Sequence, residues 1–365
     1  MGLGRRAFAA VWVAACLATP TYTFAESAPR AVLIVDESDS NSPYGHRFRE
    51  QIHSTLDAES TQHYVIYLES LDFGHFNGSD YDATLHEFFK NKYKDKPIDI
   101  IVTLGSEALK FMSRMRAETW PSAPIVFVTF YDAMAVAPTN ATGVIAPRRF
   151  QDLVKSAQYL VPDLARIALV GERLDRQPLR GQYKNEIQQL TRGLNVIDLT
   201  GLPIADVKKQ VAALPSDAAI AYTPIYTDET EGSHNPGEVL EVLAKAANRP
   251  IVVDSETLLG KGAAGGIVVS AEDLGRDVGR RIARILNGEA ATSIPITFGS
   301  FTKPIFDARQ LKRWEVSDAA LPSGSEVRFR ELSVWNLYHW QIMAIAFVIL
   351  TQTFMIMLLY TSQSG

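Results

Sequence analysis

The chain of 365 residues has almost no cysteine and no excess of positive charge. Its single cysteine, Cys16, lies near the N-terminus, so no disulfide can stabilise the body of the protein. The formal net charge is −5, because 36 Lys and Arg residues stand against 41 Asp and Glu residues. A strong positive field supplies most non-specific affinity for nucleic acids, and we therefore expect no nucleic-acid partner.

The sequence motifs of nucleotide-binding and hydrolytic enzymes are also missing. The P-loop, G-x-S-x-G, C-x-x-C and H-E-x-x-H patterns do not occur, and the seven histidines include no close pair at metal-ligand spacing. A G-x-G-x-x-G pattern at residues 260–265 precedes an apolar run instead of opening a helix, which is the wrong context for a dinucleotide site. The acidic run at residues 228–231 lacks the spaced ligands of a calcium loop. We expect no cofactor, no metal and no enzymatic activity.

The N-terminal segment is typical of a secretory signal peptide. Arg5 and Arg6 precede an apolar stretch over residues 7–18, and Thr-Phe-Ala at residues 23–25 resembles a cleavage site. We assign residues 1–25 to this signal, which predicts that the rest of the chain is exported to the periplasm. Cys16 is either a small apolar residue of the signal or a lipid-attachment cysteine, because the residues before it resemble a lipobox.

A second apolar run, over residues 340–360, contains no charged residue. At about 1.5 Å per residue it forms a helix of about 31 Å, long enough to cross a bilayer. Tryptophan, tyrosine and histidine residues border the run, as at membrane interfaces. We predict one transmembrane helix in the inner membrane, with the preceding body in the periplasm.

The body alternates short apolar runs with segments of helical length, which is typical of parallel α/β units. The first series places strands at residues 31–36, 63–68, 98–104 and 124–130, with helices between them. A second series runs from residue 150 to residue 270, and an amphipathic helix over residues 271–287 follows it. Because the pattern occurs twice, we predict an α/β fold of two Rossmann-like lobes plus one C-terminal transmembrane helix.

Ligands of open parallel sheets bind at the carboxyl ends of the strands, where loops and helix N-termini converge. Ser106 opens a helix whose free N–H groups would hold a ligand carboxylate, or it only caps that helix. Asp254 would pair with a ligand ammonium, or cap the next helix. Ser106 and Asp254 across one cleft predict a small zwitterion, and the aromatic faces of Tyr131 and Tyr222 favour an amino acid or related compound with an apolar or aromatic side chain. The full set of predicted ligand-binding residues is Ser38, Ser106, Tyr131, Asp132, Tyr222, Thr223, Asp254 and Ser270.

Several short stretches follow one another in a characteristic order, at residues 101–106, 123–129, 140–144, 160–162, 166–169, 273–276 and 284–289. This succession resembles the periplasmic substrate-binding proteins of ABC transporters with a type I fold, in the branch similar to tryptophan- and tyrosine-import proteins. The resemblance implies three crossovers between two lobes, near Pro147, Ser270 and Ile294. Lobe 1 would comprise residues 26–147 and 271–298, and lobe 2 residues 148–270. Relatives often have a smaller turn where this chain has Tyr131-Asp132, which leaves the identity of the ligand open.

Residues 306–314, 321–325, 327–331 and 335–341 resemble the junction that links such a domain to membrane histidine kinases. We assign residues 299–334 to a connector between the lobes and the membrane helix. Five residues follow the helix, so we expect the output to belong to a partner kinase or to a longer gene product. The spanning helix favours sensory input, and the alternative is a substrate-binding protein that delivers its solute to an ABC permease.

Overall fold

The computed structural model describes residues 28–38, 40, 42–73, 76, 78–130, 138–174, 183–190, 193–228, 232–299, 301–330 and 334–363. The predicted signal peptide with Cys16, and the site candidates Tyr131 and Asp132, lie outside these residues.

The described elements follow one another as the sequence pattern predicts, with strands and helices alternating through most of the body. In chain order they are β1 (Arg30–Asp36), α1 (Pro43–Glu59), β2 (Tyr64–Ser70), α2 (Ser79–Lys92), β3 (Ile100–Leu104), α3 (Ser106–Thr119), β4 (Ile125–Thr129), β5 (Ala141–Ile145), α4 (Phe150–Leu160), β6 (Arg166–Val170), α5 (Tyr183–Leu190), β7 (Asn195–Asp198), α6 (Ile204–Val211), β8 (Ala218–Tyr222), β9 (Thr227–Asp228), β10 (Gly232–Ser233), α7 (Pro236–Ala246), β11 (Ile251–Val253), β12 (Gly265–Val269), α8 (Ala271–Leu286), β13 (Thr297–Phe298), β14 (Thr302–Asp307), α9 (Ala308–Arg313), β15 (Glu326–Arg328) and α10 (Val334–Gln363).

The first lobe is built on a parallel sheet of six strands in the order β13-β5-β4-β3-β1-β2. Strands β3 and β4 are buried at every position, which explains their continuous apolar sequence. Helix α8 returns to this lobe and packs closely on α1. A Cβ at Gly275 would lie 2.6 Å from the carbonyl oxygen of Phe48, so only glycine allows the two helices this distance.

The second lobe contains seven strands in the order β15-β14-β12-β11-β8-β6-β7. The first five strands of each of these two sheets therefore follow the same order, 2-1-3-4-5, when they are counted along the chain within the sheet. Strand β14 is antiparallel to β12, and the other pairs are parallel. Two short strands, β9 and β10, form a separate antiparallel ribbon.

The structure departs from the predicted connector over residues 299–334. Strands β14 and β15 extend the second sheet, and Ile305 and Phe306 are fully buried in the core of that lobe. The third crossover accordingly lies between β13 and β14, a few residues beyond the expected position at Ile294. Burial of these two side chains stabilises the pairing of β14 with its neighbouring strands. The polar, Pro-containing sequence around them did not indicate a strand.

Helix α10 follows the second lobe. Residues Tyr338–Met357 form a 20-residue window with mean hydropathy 1.8, and none of it is buried against the rest of the protein. Its length and composition are sufficient for a membrane crossing, and its position overlaps the predicted span at residues 340–360.

Candidate functional site

A cleft of 290 Å³ lies between the two lobes. Lobe 1 lines it with residues at the ends of β1, β3 and β4, among them Asp36, Leu104 and Phe130. Lobe 2 contributes the loops after β6, β8 and β11, with Glu172 and Ser255 as examples. The carboxyl ends of both sheets therefore face one cavity, which is where an open α/β sheet binds its ligands.

The centre of the cleft is organised around Arg148, which follows β5 at the first crossover. Its guanidinium carbon lies 4.7 Å from the ring centroid of Phe130 and 5.1 Å from that of Tyr44. The two rings are 6.0 Å apart in an edge-to-face arrangement. A guanidinium over aromatic faces is attracted by the negative charge of the π-system, and more strongly where water is excluded. Arg148 is buried, so lobe 1 holds this cation firmly.

Arg148 also contacts lobe 2 through Asp254. One guanidinium nitrogen lies 3.3 Å from a carboxylate oxygen of Asp254, and the same nitrogen donates to the Asp254 carbonyl at 3.2 Å. The Tyr183 hydroxyl donates to the other carboxylate oxygen at 2.9 Å. Both charged side chains are buried, so each depends on the other for its stability. The ion pair therefore connects the two lobes at the base of the cleft.

Glu37 lies at the end of β1 and caps α3. Its carboxylate accepts a hydrogen bond of 2.9 Å from the backbone N–H of Glu107. Burial raises the pKa of Glu37 to about 8, and the nearby carboxylates of Asp36 and Glu107 act in the same direction. The close approach requires glycine at position 105, because a Cβ there would overlap with the Glu37 carboxyl group. Glu37 thus occupies the helix N-terminus where the two predicted alternatives were a ligand carboxylate and a cap by Ser106.

Two other helix N-termini reach the cleft from opposite lobes. Helix α1 contributes Pro43 and Tyr44, and α7 contributes Pro236 and Gly237. Helix N-termini carry partial positive charge. On the lobe 2 side, Glu172 lines the cavity and accepts a hydrogen bond of 2.7 Å from the backbone N–H of Tyr226. The cleft therefore presents donors, an acceptor and apolar walls within one cavity.

Of the predicted ligand-binding residues, Ser38 lines the cleft directly. Its backbone N–H and hydroxyl both donate to Asp36, at 2.9 and 2.7 Å. Asp254 lies at the cleft base in the ion pair with Arg148, and its neighbour Ser255 lines the cavity. The first residue of α3, Ser106, is buried, and its hydroxyl has no hydrogen-bond partner among the described residues.

Three further predicted residues are placed in the structural framework. Tyr222 is fully buried in the core of lobe 2, where its hydroxyl donates to the Pro236 carbonyl at 2.7 Å. The buried Thr223 donates from its backbone N–H to Val170 at 2.8 Å. Ser270 caps α8, since its hydroxyl accepts from Asp273 at 3.3 Å. The structure brings these residues to the strand ends but does not place them on the cavity wall.

Sequence reasoning missed several residues that shape the cavity, namely Tyr44, Phe73, Arg148, Glu172, Tyr226 and Lys261. Arg148 lies in a crossover without any motif, and its aromatic partners are 104 and 18 positions away. Glu172 and Tyr226 each lie a few residues beyond a predicted strand. A wider window after each strand end would have included both of them and also Arg148, which follows β5, although nothing local distinguishes that arginine from a solvent-exposed one.

The pattern of the chain over residues 71–318 matches the family model for the ABC transporter substrate binding protein. The chain belongs to this family. This confirms the resemblance to ABC-type substrate-binding proteins, which bind small molecules. No curated protein matches the chain at a significant level.

Solved structures confirm the two-lobed α/β fold of this substrate-binding protein. A ligand-free, open structure of a substrate binding protein with adhesive properties from Clostridium difficile is similar over 83% of this chain and 100% of that chain, with a TM-score of 0.56 and 15% identity. The ABC domain from Streptococcus pneumonia, in complex with L-Trp, is similar over 81% of this chain and 99% of that chain, with a TM-score of 0.56 and 15% identity. A conserved domain protein from Vibrio cholerae is similar over 81% of this chain and 99% of that chain, with a TM-score of 0.55 and 14% identity. At this identity the likeness concerns the fold.

Proposed function

We propose that the chain is a membrane-tethered periplasmic binding module that acts as sensory input and whose ligand is an amino acid with an apolar or aromatic side chain. The observation that carries the proposal is a cleft between the lobes in which aromatic walls, a buried cation and a carboxylate converge. The L-Trp complex of the Streptococcus pneumonia domain supports the ligand class, because that protein shares the fold.

The cavity walls suit the side chain of such a ligand. Tyr44, Phe73 and Phe130 line it from lobe 1, and Tyr226 lines it from lobe 2. Aromatic rings pack on apolar or aromatic groups in edge-to-face or offset arrangements, and each pair adds stabilisation beyond the area that it buries. A ligand ring between the lobes would contact both of them.

The charged residues suit the ends of a zwitterion. A guanidinium carries five N–H donors, so Arg148 would contact a ligand carboxylate while it keeps its bonds to Asp254. The ammonium group would then lie near Glu172, which lines the cleft on the lobe 2 side. Glu172 is placed ahead of Asp254, the partner predicted from sequence, because Glu172 lines the cavity whereas Asp254 lies behind Arg148 in the ion pair.

A thermal-shift panel on residues 26–330 tests the ligand class. It compares L-tryptophan, L-phenylalanine and L-leucine with glucose and inorganic phosphate. A ligand at 100 times its dissociation constant adds about 2.7 kcal/mol to the free energy of unfolding, which shifts the melting temperature by several degrees. Glu172→Gln should lose the response, and the exposed variant Glu87→Gln should keep it. A response to glucose or phosphate, with none to the amino acids, would rule out the zwitterion.

Phosphatase fusions test the membrane placement. Alkaline phosphatase is active only in the periplasm, so a fusion after Arg330 should be active and a fusion after Gly365 inactive. The first fusion point follows β15, because the strands before it belong to the second lobe. The reverse pattern of activities would exclude the proposed topology.

The alternative function is delivery of the solute to an ABC permease, which the family description itself favours. Deleting the gene distinguishes the two functions. Loss of labelled-ligand uptake with intact ligand-dependent transcription would indicate transport. Loss of the transcriptional response with intact uptake would indicate sensing.

A further inference from the structure

Two glutamines in the apolar part of helix α10, Gln341 and Gln352, lie on one stripe of its surface. Gln341 and Gln352 are eleven residues apart, which is three turns of a helix and brings both side chains to the same face. Ile345, Val348 and Met355 lie on that stripe at alternating spacings of three and four residues. This is the heptad spacing of a helix that packs against a second helix with a left-handed crossing.

Gln352 lies inside the apolar window Tyr338–Met357. It is about 7 Å along the axis from the middle of this window, and therefore well within a hydrocarbon layer of about 30 Å. A primary amide has two donors and one acceptor oxygen, and lipid tails offer none of these groups a partner. An isolated α10 would leave this amide unsatisfied in the bilayer.

The neighbouring threonine hydroxyls form their hydrogen bonds within the helix. The Thr351 hydroxyl donates to the carbonyl of Phe347 at 3.0 Å, and the Thr353 hydroxyl donates to that of Ile349 at 2.8 Å. No such bond is formed by the side chain of Gln352 within the described part of the chain. Its amide therefore points to a partner outside its own helix.

We propose that α10 forms a parallel homodimer through the stripe Gln341-Ile345-Val348-Gln352-Met355, in which the two Gln352 amides bond to each other. The amide is self-complementary, because the N–H group of one copy donates to the oxygen of the other. In a parallel pair related by a two-fold axis, equal positions meet at equal depth. A second copy of this chain thus satisfies Gln352 without any further partner.

Between Met343 and Phe354 the opposite face of α10 is bulky and apolar, with Met343, Phe347, Leu350 and Phe354. These side chains are exposed in the protein and suit contact with lipid. The stripe that contains the two glutamines therefore has the chemistry of a helix interface, and the opposite face has that of a lipid-facing surface.

Disulfide crosslinking of the full-length chain in membranes tests the dimer. In a Cys16→Ser background, Ile345→Cys and Val348→Cys should crosslink to dimers, and the lipid-face controls Phe347→Cys and Leu350→Cys should not. The host should lack the chain's native neighbours, so that the second copy is the available partner. Adding Gln352→Leu should weaken association about 3- to 30-fold, whereas Gln352→Asn should retain much of it because the amide is kept.

The inference rests on the membrane placement in the proposed function, and fractionation separates the two failures. Full-length protein that washes off membranes with alkaline carbonate would overturn both. Inserted protein that crosslinks equally from both faces, or that crosslinks unchanged with Gln352→Leu, would overturn the homodimer alone. Crosslinking that needs a co-expressed kinase or permease would also overturn it.

Discussion

Glu37 is a buried carboxyl group whose protonation the fold controls. Its pKa is raised to about 8, mainly by burial, from an ordinary value of 4.5. Between these values the folded protein holds a proton that the unfolded chain has released. The neutral carboxyl group of Glu37 therefore makes its full contribution to the free energy of unfolding below about pH 4.5. This contribution is lost as the pH rises through about 8.

We expect the melting temperature of residues 26–330 to be lower at pH 9 than at pH 5, with Glu37 contributing about 3 to 5 kcal/mol of the difference. Glu37→Gln keeps an oxygen that accepts from Glu107 but removes the titration, so it should flatten this part of the profile. Glu87→Gln, on the exposed face of α2, serves as the control. Identical pH profiles for wild type and Glu37→Gln would show that this carboxyl group does not titrate in that range.

Asp254 and Arg148 support each other at the base of the cleft. Asp254→Ala would leave the buried guanidinium without its carboxylate, and breaking a buried pair in this way costs about 3 to 5 kcal/mol. We expect a loss of this size in the free energy of unfolding, measured by urea denaturation. Arg148→Met combined with Asp254→Leu should recover part of it, because neither charge is then left alone. A single variant as stable as wild type would show that water compensates the guanidinium.

At the level of elements, the turn from β3 into α3 depends on one backbone conformation. Gly105 has φ +104°, and a Cβ at this position would overlap with the Glu37 carboxyl group. Gly193 has φ +116° but no atom near the same position. Gly193→Ala should therefore lose only the backbone term, about 1 to 2 kcal/mol.

Gly105→Ala should lose clearly more than Gly193→Ala, since it must also displace the cap of α3. Thermal unfolding of both variants measures the difference. In the double variant, the stability that Gly105→Ala removes in addition to Glu37→Ala should be close to the stability that Gly193→Ala removes. The reason is that the obstructing carboxyl group is gone. Equal losses for the two glycine variants would mean that Glu37 moves aside without cost.

Elements with a strong local pattern could be predicted from the sequence, and β1, β4 and α8 begin and end within about one residue of the predicted bounds. Buried parallel strands are continuous apolar runs, and this property is local. Strand β14 lacks it, because Lys303 and Pro304 interrupt the run and its burial comes only from pairing with β12.

Some residues of the site could likewise be predicted from a local pattern, and others could not. The carboxyl ends of strands can be located from local pattern, and Ser38, which lines the cavity, was predicted in this way. The role of Arg148 depends on Tyr44, Phe130 and Asp254, which are distant in sequence and meet only when both lobes have formed. No local signal carries that information, since an arginine after a strand is equally suited to solvent.

At the scale of the whole molecule, three crossovers and the Arg148–Asp254 pair connect the lobes. A ligand that contacts both walls of the cleft favours the closed arrangement by its difference in affinity for the two states. We expect the radius of gyration of residues 26–330, measured by small-angle scattering, to decrease when the ligand identified in the thermal-shift panel saturates the protein. An unchanged radius, with binding proven by calorimetry, would show that the cleft is rigid.

The ion pair should set the balance of these states before any ligand binds. Arg148→Met keeps a long apolar side chain between Tyr44 and Phe130 but removes the bonds to Asp254, so the lobes should separate more often. We expect a larger radius of gyration than in wild type without ligand, in a variant whose circular dichroism shows it to be folded. Arg280→Met, which removes an exposed pair with Glu59 on the surface of lobe 1, should leave the radius unchanged. If both variants matched wild type, the Arg148–Asp254 pair would not set the separation of the lobes, and the crossovers and other contacts between the lobes, such as the Lys303–Asp273 pair, would hold them.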